Sequence, residues 1–277
     1  MIPSIERKLL SRRSLLRFSA IGAGSLLLAG CDDAISENPR VLSIIDKASA
    51  LTYRAQRLIL PRDKLAPEYP ESDIAPQFRA NGSTSPSDPA YRALAGANFV
   101  DWQLAVDGLV ERPTKFSLAD LRALPASTQV TRHDCVEGWS CIGKWTGTPL
   151  SEVLSRVGVK PQARFVVFHC ADRLQDGTPD DFEPGESDSG NSGGVHYYES
   201  IDFVDAYHPQ TLLAYELNGQ TLPIAYGAPL RLRLGRQLGY KMAKYVMRIE
   251  LVASFAQMGD GNGGYWEDLG YEWYAGI

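Results

Sequence analysis

Cysteine is scarce in this sequence, with four in 277 residues, and histidine is equally sparse at four. The histidines, His133, His169, His196 and His208, are scattered without the spacing of a zinc site. No Gly-x-Ser-x-Gly, phosphate-loop or Gly-x-Gly-x-x-Gly pattern directly follows a predicted strand, so hydrolase, kinase and nicotinamide chemistries have no motif to rest on. A Cys-x-x-Cys-His run is absent, which removes covalently attached haem. No block of basic residues occurs and the net charge is −5, so no nucleic acid is expected as partner. There is no internal repeat and no regular βαβ alternation.

What is present begins with an address. Arg7, Lys8, Arg12 and Arg13 precede an apolar run from Phe18 to Leu28. That run is about half the ~20 residues a spanning helix needs, so it reads as a signal segment rather than a permanent anchor. Ser11-Arg12-Arg13-Ser14-Leu15-Leu16 matches the twin-arginine pattern, which directs folded cargo across the membrane. An ordinary secretory signal with a chance Arg pair is the alternative. Leu28-Ala29-Gly30-Cys31 looks like a lipobox, which would make a lipidated Cys31 the mature N-terminus and a membrane anchor, against plain cleavage with Cys31 idle. The expected organisation is a signal over 1–30, a helix and linker over 31–67, and a catalytic domain over 68–277 in the periplasm. Hydrophobic residues at 44% and charged residues at 22% fit a globular domain with a full core.

Asn38-Pro39 reads as N-cap and first helical position, with Val41, Ile45, Ala48, Ala55 and Ile59 carrying an amphipathic helix to about Leu60. Six prolines between Pro61 and Pro89 predict an extended segment over a surface. Trp102, Leu104 and Val106 alternate as a strand that turns at Asp107-Gly108. Ser117 caps a short helix ended by Pro125, and a second helix runs from Pro149 to Val157 with Gly158 as its stop. Arg164 to Cys170 is a strand, and Asp172 to Gly194 an acidic, Gly- and Ser-rich loop. Later strands are Leu212–Leu217, turning at Asn218-Gly219, then Leu230–Leu234 and Tyr245–Val252. Short strands among few helices predict an α+β domain.

Beyond Cys31 the cysteines are Cys135, Cys141 and Cys170, an odd number that leaves at least one free thiol. Cys135 follows a predicted strand in Arg132-His133-Asp134-Cys135-Val136-Glu137-Gly138-Trp139-Ser140. Neighbouring Arg132 and His133 would favour the thiolate, the form that binds metals. A buried, inert cysteine is the other reading of the same composition.

The run Cys135-Val136-Glu137-Gly138-Trp139-Ser140, followed by Trp145-Thr146-Gly147-Thr148-Pro149-Leu150, resembles the molybdenum-site segment of the sulfite oxidase family. It is most like the exported, single-domain branch related to the periplasmic methionine sulfoxide reductases. Val106 to Pro113 resembles the family's first hairpin, and His208 to Gly219 a strand-turn unit. Gly227-Ala228-Pro229-Leu230-Arg231 and Gly239-Tyr240-Lys241 resemble its two pterin-phosphate segments. These blocks keep the family's order over roughly residues 68 to 277. The resemblance implies a sulfite oxidase-type molybdopterin fold, with molybdenum held by one pterin dithiolene and the Cys135 thiolate, a soft anionic ligand suited to that metal. Arg231, Lys241 and the backbone around Gly239 would meet the pterin phosphate, and Asn81, Tyr226, Tyr240 and either Cys170 or Asp172 the pterin. The implied activity is oxygen-atom transfer on a small sulfur compound, coupled to a separate cytochrome or membrane haem protein. A metal-free binding lipoprotein that kept the fold is the competing reading, and Cys135 speaks against it.

Sulfite oxidases carry an Arg-Asn-His run on the early loop, where this chain has Ala80-Asn81-Gly82; that cation is missing unless Arg79 reaches in. The aromatic tail from Gly263 to Tyr274 corresponds to a segment near the mouth of the family's site, or is a lid packed on the core. Replacing Arg12 and Arg13 together with Lys should leave cofactor-loaded precursor in the cytoplasm, as fractionation would show. Efficient export of that variant would mean the Arg pair is not read.

Overall fold

The computed structural model describes residues 39–174 and 194–277. The signal with Arg12 and Arg13, the lipobox Cys31 and most of the Asp172–Gly194 loop lie outside the described residues. Helix α1 covers Pro39–Ile59, as its N-terminal proline and periodicity predict. The chain divides into two units within it, and the second, Gln56–Ile277, contains both sheets.

After α1 the proline-rich segment runs along the edge of a hairpin. Tyr69 N–H donates to the Val130 carbonyl at 2.9 Å, and Ala75 N–H to Ile142 at 3.0 Å. Helix α2 (Pro89–Gly96) is a short element the sequence reading missed; Asp88 caps it by accepting from Tyr91 N–H. Strands β1 (Gln103–Gly108) and β2 (Thr114–Ser117) form the expected hairpin. Ser117 and Asp120 then make a reciprocal capping box for α3 (Leu118–Ala123). Strands β3 (Ser127–Asp134) and β4 (Ser140–Pro149) pair with Asp134 opposite Ser140, and α4 (Leu150–Val157) ends at Gly158. Strand β5 (Phe165–Leu174) continues four residues past Cys170, so Asp172 lies within a strand rather than in the loop expected there. Strand β6 (Val195–Asp202), absent from the sequence reading, pairs with β5 and leads into α5 (Phe203–Ala206). Strands β7 (Thr211–Leu217) and β8 (Gln220–Thr221) flank Asn218 and Gly219, both at positive φ. Strands β9 (Arg231–Leu234) and β10 (Val246–Val252) and helix α6 (Tyr265–Asp268) complete the described elements.

These strands make two five-stranded sheets. One has the order β2-β1-β10-β5-β6, with β1 and β10 parallel although nearly the whole domain separates them. The other has the order β3-β4-β7-β8, with β9 on β7. Leu104, Val106, Leu121, Leu154, Phe168, Leu213, Leu232 and Ile249 share the main buried core. This is the α+β architecture expected from short strands and few helices. Gly147 marks the register shift between β4 and β7; a Cβ there would meet the Leu213 carbonyl oxygen at 2.3 Å.

The C-terminal segment is pinned by buried charge. Lys241, fully buried, bonds Glu199 Oε1 at 2.5 Å and also Glu267 Oε1 on α6. Trp273 Nε1 donates to Ser200 at 2.9 Å, and the Tyr240 hydroxyl donates to the Glu272 carbonyl at 2.6 Å. Burial, then repulsion from Glu267, raises the Glu199 carboxyl well above its ordinary value against the pull of Lys241. The native state therefore holds a proton that the unfolded chain releases above the ordinary carboxylate range, so stability falls as pH rises above that range. Glu199→Gln should flatten this decline in urea unfolding measured between pH 5 and 8 (an interval of roughly neutral conditions). Lys241→Met should cost about 3–5 kcal/mol, because it strands two buried carboxyls.

Candidate active site

The hairpin between β3 and β4 presents Cys135. Its N–H donates to the Trp139 carbonyl at 2.9 Å, and Gly138 N–H donates to the Cys135 carbonyl at 3.1 Å, closing a tight loop. Trp139 Nε1 donates to Glu137 at 2.8 Å, and the indole stacks on the His133 ring, 5.6 Å away at 28°. Cys135 is 8% exposed, and burial raises its thiol above the ordinary value. Backbone N–H groups of Glu137 and Val136 oppose this, as does the Arg79 guanidinium, while the Glu137 charge adds to it.

That corrects the expectation that Arg132 and His133 activate the thiol. Arg132 is half exposed and bonded to Asp134 at 2.7 Å. His133 is wholly buried, and burial followed by Arg233, Arg231 and Lys244 holds it well below its ordinary value, hence neutral. Arg79 does reach in. It lies 4.9 Å over the Trp139 ring and 3.9 Å from Glu137. Tyr271 of the C-terminal segment packs against Tyr240 at 5.2 Å and Trp266 at 5.3 Å, and burial, then Cys135 and Glu137, raises its hydroxyl.

Strand β9 brings a cluster of buried cations against His133 of the hairpin. In Arg231-Leu232-Arg233-Leu234 the alternation of β9 sends both leucines to the core and both guanidiniums to the other face. Arg231 donates to the Tyr226 carbonyl at 2.9 Å and stands 4.9 Å from the Trp145 ring. Lys244 Nζ donates to the carbonyls of Asn81, at 2.6 Å, and Ser83. Burial lowers Arg231 to about 10, and burial together with Arg231 lowers Lys244 to about 7. Asp172 and Cys170, both buried on β5, pull Lys244 the other way. Arg231 Nε, Arg233 Nε and His133 Nε2 find no hydrogen-bond partner among the described residues.

Several expected residues thus meet here. Asn81 offers its carbonyl to Lys244, and Cys170 and Asp172 lie within electrostatic reach of the same ammonium. Tyr226 accepts from Arg231 through its carbonyl, and its hydroxyl donates to Phe78 at 2.7 Å. Gly239 packs so closely on His133 that a Cβ would sit 2.4 Å from Nε2. Tyr240 faces the C-terminal segment instead. Lys241, expected to meet a phosphate, bonds Glu199 and Glu267, while Lys244 bonds the Asn81 and Ser83 carbonyls. Arg233, Lys244 and Ser83, which lie with these residues, were not singled out in the sequence, and His133 was read only as a neighbour of Cys135. The alternation of β9 would have found Arg233, since it must share a face with Arg231.

Among the described residues no three His, Cys, Asp or Glu side chains gather as a metal cage. One thiol and a cluster of unmatched buried cations suit a metal carried by an anionic organic group, with unpartnered nitrogens ready to donate to it. Fold and cluster together define a cofactor-dependent oxidoreductase. The sequence pattern of the oxidoreductase molybdopterin binding domain matches residues 93–258, and the chain belongs to that family, an oxidoreductase family of the sulfite oxidase type. It is 39% identical over 266 residues to a protein of Azospira oryzae provisionally named protein-methionine-sulfoxide reductase subunit YedZ1, covering 96% of this chain and 88% of that one. It is 37% identical over 171 residues to the protein-methionine-sulfoxide reductase catalytic subunit MsrP of Ralstonia nicotianae, covering 61% of this chain and about half, 49%, of that one. The sulfane dehydrogenase SoxCD of Paracoccus pantotrophus overlaps 56% of this chain and 39% of its own, at 23% identity and a TM-score of 0.45.

In cofactor-free protein the rate of Cys135 alkylation should keep rising with pH beyond the ordinary thiol value. Arg79→Ala should move that profile further up, since it removes a cation that favours the thiolate. An unchanged profile would show that Arg79 does not act on Cys135.

Proposed function

We propose that the chain is the catalytic component of an exported molybdenum–pterin sulfoxide reductase, acting on methionine sulfoxide or a close relative. The observation that carries this reading is one buried cysteine on the hairpin whose His133 meets a cluster of buried cations, Arg231, Arg233 and Lys244, that outnumbers its one carboxylate, Asp172. The names of the two curated relatives point to the substrate. When bound, the molybdenum–pterin group supplies two-electron oxygen-atom exchange with sulfur. Overall, a sulfoxide, two electrons and two protons give a thioether and water. A separate haem protein would supply the electrons.

The chain's own residues fix and screen this chemistry. Cys135 would be the protein ligand to the metal of that group, as a thiolate freed of the proton that burial otherwise retains. Arg231, Lys244 and the chain around Gly239 would hold the pterin phosphate. Around Cys135, Val136, Trp139 and Tyr271 give the approach an apolar, aromatic character. Arg79 is the cation of that approach, but Glu137 offsets part of its charge and Ala80 supplies none. A small dianion would want a desolvated guanidinium, worth roughly 1.5–3 kcal/mol for each charge-assisted contact. A neutral sulfoxide has no such need. Folded export by the twin-arginine route and tethering through lipidated Cys31 place the enzyme on the periplasmic side of the membrane.

Anaerobic turnover of purified, loaded protein tests this directly. Methionine sulfoxide should be reduced, Cys135→Ser should abolish turnover, and Cys141→Ser and Cys170→Ser should keep at least part of it. Ala80→Arg should raise kcat/KM for sulfite by roughly tenfold to a hundredfold, the yield of one charge-assisted contact, with no matching gain for a neutral sulfoxide. Efficient sulfite oxidation by the native enzyme, lowered by Ala80→Arg, would overturn the substrate assignment. Protein from a molybdenum-replete host with neither metal nor pterin would overturn the cofactor.

A further inference from the structure

Arg233 is the least explained charge in the interior. It is fully buried, yet none of its bonds goes to a carboxylate. One terminal nitrogen donates to His133 Nδ1 at 2.9 Å and lies 2.7 Å from Met242 Sδ. The other donates to Thr131 Oγ1 at 3.2 Å and approaches the Arg132 carbonyl at 3.4 Å. The nearest carboxylate that it feels, Asp134, is taken up by Arg132 and Ser140. Its guanidinium stacks 4.4 Å from the Trp145 ring, but Arg231 already stacks on that indole. A leucine or methionine would fill the same space without burying a charge, so packing does not explain an arginine here.

The pairing with His133 has a chemical consequence. A guanidinium can only donate, so Nδ1 must accept, and the neutral imidazole carries its proton on Nε2. That Nε2–H has no partner among the described residues and lies against Gly239, where the missing Cβ leaves the backbone close. Arg233 Nε is likewise unpartnered. Two donors, fixed by one hydrogen bond, thus stand unused next to Arg231 and the Gly239 segment.

We propose that Arg233 and His133 form an additional donor pair for the anionic end of the pterin. Arg233 contributes charge beside Arg231, and His133 is oriented by Arg233 to donate through Nε2. This rests on the cofactor reading above. With Lys244 protonated, as an anion beside it would keep it, Arg231, Arg233 and Lys244 against Asp172 leave two positive charges in excess, the complement of one terminal phosphate dianion. The pair adds retention of the cofactor at the expense of the empty protein, which must bury an unmatched cation.

That trade separates the proposal from a structural role. Full-length protein would be prepared loaded, and also cofactor-free from a host unable to make the pterin. Arg233→Met should leave the cofactor-free protein as stable to heat as the wild type or more so. It should lower pterin retained after gel filtration, read by fluorescence of the released pterin, by at least about tenfold, one lost charge-assisted contact. Arg233→Lys, which keeps the charge but not the fork, should retain an intermediate amount. His133→Gln should retain more than His133→Phe. As a probe independent of loading, millimolar inorganic phosphate should raise the melting temperature of cofactor-free wild type more than that of Arg233→Met. Equal loss of stability in loaded and empty Arg233→Met, with pterin retention and the phosphate response unchanged, would make Arg233 a support for Trp145 and overturn the proposal. Wild type that holds no pterin would instead overturn the cofactor reading itself.

Discussion

The interior carries cations that the protein does not neutralise by bonding them to carboxylates of its own. Arg231 and Arg233 are wholly buried, and Lys244 nearly so, with backbone carbonyls, a histidine nitrogen and a tryptophan face as their partners. Carbonyl dipoles soften such charges without cancelling them, and each cation lowers the next. Much else follows from housing this cluster. The β9 alternation keeps the leucines in the core while the arginines join the cluster. The extended segment after α1 delivers the Asn81 and Ser83 carbonyls to Lys244. The β3–β4 hairpin stacks His133 on Trp139 and bonds the Cys135 N–H to the Trp139 carbonyl.

The contrast with Lys241 is instructive. Three residues earlier in sequence, it is as deeply buried, yet it meets two carboxylates and serves the fold by fastening the C-terminal segment. Two lysines on one short turn thus have different tasks, divided by which acidic side chains the opposing strands bring. Glu199 on β6 and Glu267 on α6 claim the first. The second is left to carbonyls, and so stays available to an anion.

The Cys135 loop is similarly divided. Burial makes the thiol reluctant to ionise, so a metal rather than a neighbouring base would have to draw off its proton. Arg79 lies over the Trp139 ring and near Glu137, one partly offset cation beside the loop of the thiol.

Read as a string, the chain disclosed a good deal. The helix from Pro39, the capping box at Ser117, the hairpin at Gly108, the turn at Asn218-Gly219 and the α+β class each rest on a few neighbouring residues, whose conformational preferences are local. The motif around Cys135 and the segments near Arg231 and Gly239 were legible too, because close backbone approach demands particular residue types in fixed order. What stayed hidden depends on distant partners. Strand β6 and the parallel pairing of β1 with β10 have no local signature, since their hydrogen bonds join segments far apart in sequence. Whether Lys241 or Lys244 joins the cluster is set by where Glu199 and Glu267 fall. The sequence offered two readings of Cys135, a thiolate favoured by Arg132 and His133 and a buried thiol, and only the fold shows the burial that holds both Cys135 and His133 neutral. Local chemistry determined which residues were available; only the tertiary structure decided which charges would be matched and which left for a ligand.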